Sequence, residues 1–237
     1  SMSLTINIHE GDRYVVSSVQ LDGYYLGREE EFKSLVRIEV GKPYNIGQVT
    51  ETVKSFTDYF GNFGFAFARI EPIPEIDRST NQVKLVLRAD PSRRAYVRRI
   101  NIAGNTRTRD EIIRREIRQF ESSWYDGDKI RTSKDRIERL GYLKDVNVET
   151  IEVPGAPDQV DLQFNVVEKP TGALQLGAGY SSFERLFLTL GISQDNILGT
   201  GQFLGMNIST SKYNQIFSIN TTDPYFTADG VSRTYDL

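Results

Sequence analysis

At Pro170 charge gives way to alternation, and that change constrains the fold more than any other feature of the sequence. Residues 171–237 carry three basic side chains (Arg185, Lys212, Arg233) and five acidic ones (Glu184, Asp195, Asp223, Asp229, Asp236). Leu174, Leu176, Ala178 and Tyr180 alternate with Gln175, Gly177 and Gly179, and Leu186, Leu188, Leu190 and Ile192 alternate with Phe187, Thr189, Gly191 and Ser193. Leu204, Met206 and Ile208 interleave with Gly205, Asn207 and Ser209, and a fourth, noisier run spans Gln215 to Thr221. Each run is roughly nine residues, about what a tilted strand needs to cross a bilayer. Aliphatic residues on one face and small or polar ones on the other fit a barrel strand with lipid outside and water inside. A soluble antiparallel meander with one buried face has the same pattern. Four strands cannot close, since spanning barrels begin at about eight, and an open edge in lipid leaves backbone groups unpaired. The tail is therefore expected to be the start of a larger barrel.

The 237 residues suit about two domains. Without cysteine the chain has no disulfide, no thiolate nucleophile and no cysteine-bound zinc. Its single histidine, His9, rules out multi-histidine metal sites and reads as a solvated strand end. A net charge of −3 argues against nucleic acid as a partner. No run of about 18 apolar residues suggests a membrane helix.

Upstream of the tail, two modules repeat one order of elements. In the first, a strand over Val15–Leu21 ends at Asp22-Gly23, and a short helix over Arg28–Val36 turns Phe32, Leu35 and Val36 inward. A second helix carries the stripe Ile46, Val49, Val53, Phe56 and Phe60 and ends at Gly61, and two strands follow, near Ala66–Glu75 and Val83–Ala89. In the second module a strand over Val97–Ile102 closes at Ala103-Gly104-Asn105. Thr108 and Glu111 have capping-box spacing before a helix bearing Ile112, Ile113, Ile117 and Phe120. Asp126-Gly127-Asp128 opens a second helix that breaks at Gly141, with strands over Val146–Val153 and Val160–Val167. Gly23 and Gly104 lie 81 residues apart, and Gly64 and Gly141, like Val83 and Val160, lie 77 apart. A repeat at that spacing is stronger evidence than any one element in it. The expected fold is α+β: two tandem β-α-α-β-β modules, each a small mixed sheet with two helices on one face, then about four antiparallel strands. The corners Phe63-Gly64-Phe65 and Leu140-Gly141-Tyr142 read as sharp helix-to-strand turns.

No constellation supports catalysis. Asp126, Asp128 and Glu29–Glu31 stand where helix starts favour negative charge, and Gly177 and Gly179 are not followed by the helix a phosphate loop requires. No enzyme activity, metal or cofactor is expected. A basic face gathers Arg107, Arg109, Arg114, Arg115 and Arg118 against Asp110, Glu111 and Glu116; a solvated helix face, a protein partner, RNA or anionic headgroups would each suit it.

Four stretches carry a resemblance: Val97-Arg98-Arg99-Ile100-Asn101-Ile102-Ala103-Gly104-Asn105, Ile113-Arg114-Arg115-Glu116-Ile117-Arg118-Gln119, Gln194-Asp195-Asn196-Ile197-Leu198-Gly199-Thr200-Gly201 and Pro224-Tyr225-Phe226-Thr227. With the repeat and the alternating tail, they resemble the family of outer-membrane β-barrel assembly proteins that carry POTRA domains. The resemblance implies a tag-derived start and the last strand of a third POTRA domain over residues 1–11. It further implies a fourth POTRA domain over 12–91, a fifth over 92–170, and the first strands of a truncated barrel over 171–237. Tyr24-Tyr25-Leu26-Gly27 is bulkier than the Gly104-Asn105 turn and departs from the pattern. The resemblance implies an insertase of the Gram-negative outer membrane, with its POTRA domains in the periplasm, that assembles unfolded outer-membrane proteins by strand addition. A protein-export pore of the same architecture and a periplasmic scaffold remain open alternatives. Client strands would pair at exposed POTRA sheet edges and along the first barrel strand, Gly172, Ala173, Leu174, Gln175, Leu176, Gly177, Ala178, Gly179 and Tyr180. An accessory lipoprotein resembling BamD would dock at the fifth POTRA domain on Arg114, Arg115, Arg118 and Glu121, and the barrel would contact the lipid bilayer. As cut, the tail's free edges are expected to pair copies of the chain.

Overall fold

The computed structural model describes residue 11 and residues 13–227 and 231–237. The strand expected over residues 4–10, and His9 with it, lies outside the described residues. The chain forms two compact units. One comprises residues 1–96 with 122–128 and 156–159; the other comprises 97–121, 129–155 and 160–237.

In the first unit, β1 (Val15–Gly23), α1 (Glu29–Ser34), α2 (Ile46–Gly61), β2 (Arg69–Asp77) and β3 (Gln82–Asp90) follow the expected order. The sheet runs β1-β3-β2, with β1 parallel and β2 antiparallel to the central β3. α2 starts on Asn45, whose side chain accepts from the Gly47 N–H, as an N-cap should. Its inward face is Val49, Thr52, Phe56 and Phe60, and Ile46 is exposed. The buried stripe thus begins one turn late, at Val49. Phe32, Phe56, Phe60 and Tyr25 interlock edge to face or tilted, with ring centroids 4.6–5.9 Å apart, over Val16, Leu85 and Leu87. Each such side chain contributes about 1.5–3 kcal/mol by leaving water, and the Tyr25 hydroxyl donates to the Leu87 carbonyl at 2.6 Å.

The second module contains β4 (Tyr96–Ala103), α3 (Asp110–Arg114), β5 (Ser123–Trp124), α4 (Gly127–Glu138), β6 (Leu143–Val153) and β7 (Ala156–Glu168), in the sheet order β5-β4-β7-β6. Two differences from the sequence reading stand out. α3 is five residues long rather than reaching Phe120, and no capping box forms, since Arg109 takes the N-cap position without a side-chain bond. The Thr108 hydroxyl is occupied by Asn196. The Arg118 N–H turns to the Ser133 hydroxyl at 2.7 Å, so the backbone beyond Arg115 has left the helical ladder. Ile112, Ile113 and Ile117 are buried, but Phe120 is 66% exposed.

The repeat is reproduced at its key positions. Gly23 and Gly104 both have positive φ, and a Cβ on either would collide with a carbonyl of the neighbouring strand, Ala89 O or Val166 O. Those two acceptors are themselves 77 residues apart, the spacing of Val83 and Val160, both of which are buried.

The tail is one antiparallel meander of β8 (Gly172–Ser181), β9 (Arg185–Gln194), β10 (Phe203–Ser211), β11 (Gln215–Asp223) and β12 (Arg233–Asp236), ordered β12-β11-β10-β9-β8. It has five strands rather than four, the fifth being four residues long. The sheet is unclosed, and its aliphatic face is bare: Leu174, Leu176, Leu186, Leu188 and Ile192 are all exposed.

Candidate strand-pairing and docking sites

Strand pairing requires an edge with unused backbone donors and acceptors. In the first unit β2 is an edge strand, but Pro72 and Pro74 lie on it, opposite Leu87 and Leu85. Proline is tolerated on edges where its missing N–H would have faced outward, so this edge offers two donors fewer. On β1, the Val16 N–H donates to Lys42 O and its carbonyl accepts from Gly41 N–H, which occupies the start of that edge. In the second module β6 forms an edge of eleven residues without proline. In the tail the sheet ends at β8, whose ten residues pair with β9 in continuous register from Gly172 opposite Gln194 to Ser181 opposite Arg185. The expected pairing residues Gly172 to Tyr180 therefore all lie on one strand, which among the described residues is an edge of the sheet.

The four residues expected to bind a lipoprotein do not share a face. Arg114 and Glu121 come together on Ile100: the Arg114 Nη1 donates to Ile100 O at 2.9 Å, and the Ile100 N–H donates to Glu121 Oε1 at 2.9 Å. The two charges lie 4.0 Å apart, and Arg114 also pairs with Asp110 at 2.8 Å. Arg118 folds back, its Nη1 donating to Arg115 O. Arg115 points elsewhere, with its guanidinium over the Tyr225 ring. Glu116, counted among the surface acids in the sequence, is 4% exposed and pairs with Arg136 at 3.0 Å. A five-residue helix that unwinds at Arg115 sends successive side chains in different directions, which helical spacing does not anticipate.

One feature missed in the sequence is the seating of the tail's turns on the second module, all within the second unit. Glu168 gathers the loop after β4: its carboxylate accepts from Thr106 Oγ1 at 2.9 Å, from Arg107 N–H at 3.0 Å and from Thr108 N–H at 2.7 Å. Burial alone would raise this carboxyl, but those donors outweigh it and hold it below its ordinary value. Against the ordered loop sits the turn Asn196–Gly201. Asn196 donates to Thr108 Oγ1 at 2.8 Å, and Arg109 N–H donates to Gly199 O at 3.1 Å. Gly199 approaches so closely that a Cβ would overlap Arg107 O. The turn after β11 seats Tyr225 under Arg115, with its hydroxyl accepting from Arg136 at 3.2 Å. Tyr142 lies beside this cluster, its phenol pushed up to about 12 mainly by burial. The signal in the sequence was the cluster of Asn and Gly at 196–201, which marks a turn but not what it touches. Among the described residues no group of three or more His, Cys, Asp or Glu is placed to hold a metal ion, and no helix is long and apolar enough to cross a membrane.

Tandem β-α-α-β-β modules leading into an unclosed sheet with one bare aliphatic face define a protein of POTRA modules joined to the start of a β-barrel. The chain belongs to the POTRA family, described as surface antigen variable number repeat, which matches residues 14–91 and 95–169; residues 196–237 match the Omp85 superfamily domain. Over 236 residues, 99% of its length, it is 39% identical to the outer membrane protein assembly factor BamA of Neisseria meningitidis serogroup B, and over 225 residues 28% identical to BamA of Buchnera aphidicola. It spans 30% and 36% of those relatives. Among solved structures, BamA from Haemophilus ducreyi lacking POTRA domains 1–3 superposes with a TM-score of 0.76 at 31% identity, over 92% of this chain and 41% of that one. Haemophilus influenzae BamA POTRA3–5 gives 0.61 at 25% identity, over 65% of this chain and 61% of that one.

Proposed function

We propose that this chain is the membrane-proximal part of an outer-membrane assembly factor, its POTRA modules in the periplasm and its tail in the bilayer, that accepts unfolded outer-membrane proteins by strand addition at the free edge of β8. The observation carrying the reading is the ten-residue strand β8, the first strand of the tail, whose exposed leucines lie on one face and whose glycines lie on the other. Main-chain hydrogen bonds give affinity there without demanding a particular client sequence. The proline-free edge of β6 is a second surface of the same kind. The work is non-enzymatic, and no cofactor enters it. An accessory lipoprotein docks on the second module around Arg114 and Glu121, whose charges lie 4.0 Å apart and whose chain neighbour Phe120 is exposed. Copies of the isolated chain would pair through β8 or β12.

The reading is tested by single cysteines along Ala173 to Tyr180 in the full-length parent, with client barrels stalled during assembly. Crosslinks repeating every second residue support templating at β8. Crosslinks confined to β6 would move the working surface into the periplasm and refute the β8 reading.

A further inference from the structure

Side-chain size on the small-residue face of β8 and β9 follows a complementary order. Gly179 faces Phe187, Gly177 faces Thr189 and Gln175 faces Gly191. Phe187 and Thr189 lean into the space their glycine partners leave, whereas the space at Gly191 is approached first by Asn207 Oδ1 of β10, at 2.8 Å from where a Cβ would sit. The tip of the Phe187 ring stands where a Cβ on Gly179 would be, Thr189 Oγ1 would lie 2.5 Å from a Cβ on Gly177, and the Gln175 side chain lies 3.6 Å from where a Cβ on Gly191 would sit. Aromatic cover of a strand glycine is a known way of pinning register.

We infer that Phe187 and Thr189 are register-determining residues that fix β8 on β9 and leave its other edge without a size code. Alternation cannot do this alone. A one-residue slip turns every side chain to the wrong face, but a two-residue slip keeps all faces correct. Slipping one way sets Phe187 on Ser181 and leaves Gly191 against Gly177, a gap; slipping the other way drives Thr189 onto Gln175. Only the observed register gives both Phe187 and Thr189 a glycine partner. On the free edge, an incoming strand meets Gly177 and Gly179, already covered by β9, so β8 imposes little side-chain preference there. This second step rests on the reading of β8 as the client edge and makes the edge tolerant of varied unfolded strands.

The test uses cysteine pairs on the aliphatic face in the full-length parent: Ala178 with Leu186, with Leu188 and with Leu190. Ala178 stands opposite Leu188, so only that pair should close by oxidation. Phe187→Ala should raise the two off-register products several-fold, and the swap of Phe187→Gly with Gly179→Phe should return a single register. A cysteine pair at Leu190 and Ile208, opposite each other on β9 and β10, reports that the sheet has formed in each variant. A formed sheet with only the Ala178–Leu188 product in Phe187→Ala overturns the inference, as does a swap that stays mixed. Client crosslinking is read separately: a size code that holds with no client captured at β8 refutes the proposed function and leaves the register assignment standing.

Discussion

The guanidinium of Arg115 lies over the ring of Tyr225, 4.1 Å from its centroid, and Arg136 bridges the same tyrosine to the buried carboxylate of Glu116. A turn of the tail is thereby held by the second POTRA module through one aromatic ring and two cations. Tyr225→Ala should cost about 1 kcal/mol of local stability, the scale of a cation–π contact, read as faster amide exchange at Tyr225 and Phe226. Arg136→Met should cost more, about 3 kcal/mol, because it leaves Glu116 buried without its partner. Equal losses from the two variants would mean that the ion pair adds nothing beyond packing.

Glu168 predicts an acid-sensitive loop. Its carboxyl is depressed in the folded chain, so it contributes stability that is fully present above the ordinary glutamate value of 4.5 and is lost as pH falls below it through the folded value. Asp161, lowered by its hydrogen bonds from Arg98, acts in the same direction. Exchange at the amides of Arg107 and Thr108 should therefore accelerate below about pH 4, beyond the intrinsic pH dependence of exchange. In Glu168→Ala it should be fast at all pH values, and a wild-type profile in that variant would remove Glu168 from the account.

Glu121→Lys is expected to weaken docking of the accessory lipoprotein, and Ile100 complicates its interpretation. Glu121 accepts the Ile100 N–H, so the lysine variant loses a backbone acceptor as well as a charge. Glu121→Gln keeps an acceptor and removes the charge. In a titration against the purified lipoprotein, weakening in both variants assigns the effect to charge. Weakening in the lysine variant alone assigns it to the β4 backbone, and unchanged binding in both removes Glu121 from the docking surface.

Gly104→Ala tests the repeat. The added methyl would meet Val166 O, at a φ of +91°, and the strain of a left-handed non-glycine residue alone is about 1–3 kcal/mol. Thermal unfolding should show the loss. Gly41→Ala, at a φ of +86° with nothing within 4 Å of the new Cβ, should cost less, since only the backbone term remains.

Alternation from Leu174 to Ile208 is enough to read the strands and their two faces, because period two is set by the pleat itself; that the aliphatic side is bare comes from the structure. Spacing of 77 residues was enough to read the two modules, because equivalent glycines and valines answer to equivalent backbone positions. Ile112, Ile113 and Ile117 fit a helical stripe, but α3 stops at Arg114: the Arg118 N–H donates to the Ser133 hydroxyl and the Thr108 hydroxyl accepts from Asn196, partners from elsewhere in the chain. The docking residues were read as one face for the same reason.

The sequence by itself determined the fold class, the repeated order of the main elements and the aliphatic side of the tail, all of which follow from local periodicity and turn chemistry. Only the tertiary structure decided the strand order within each sheet, where Arg115 points, and that Phe187 covers Gly179. Those depend on which groups from distant segments meet, and hydrogen bonds and packing between strands carry no trace in the spacing of residues along one strand.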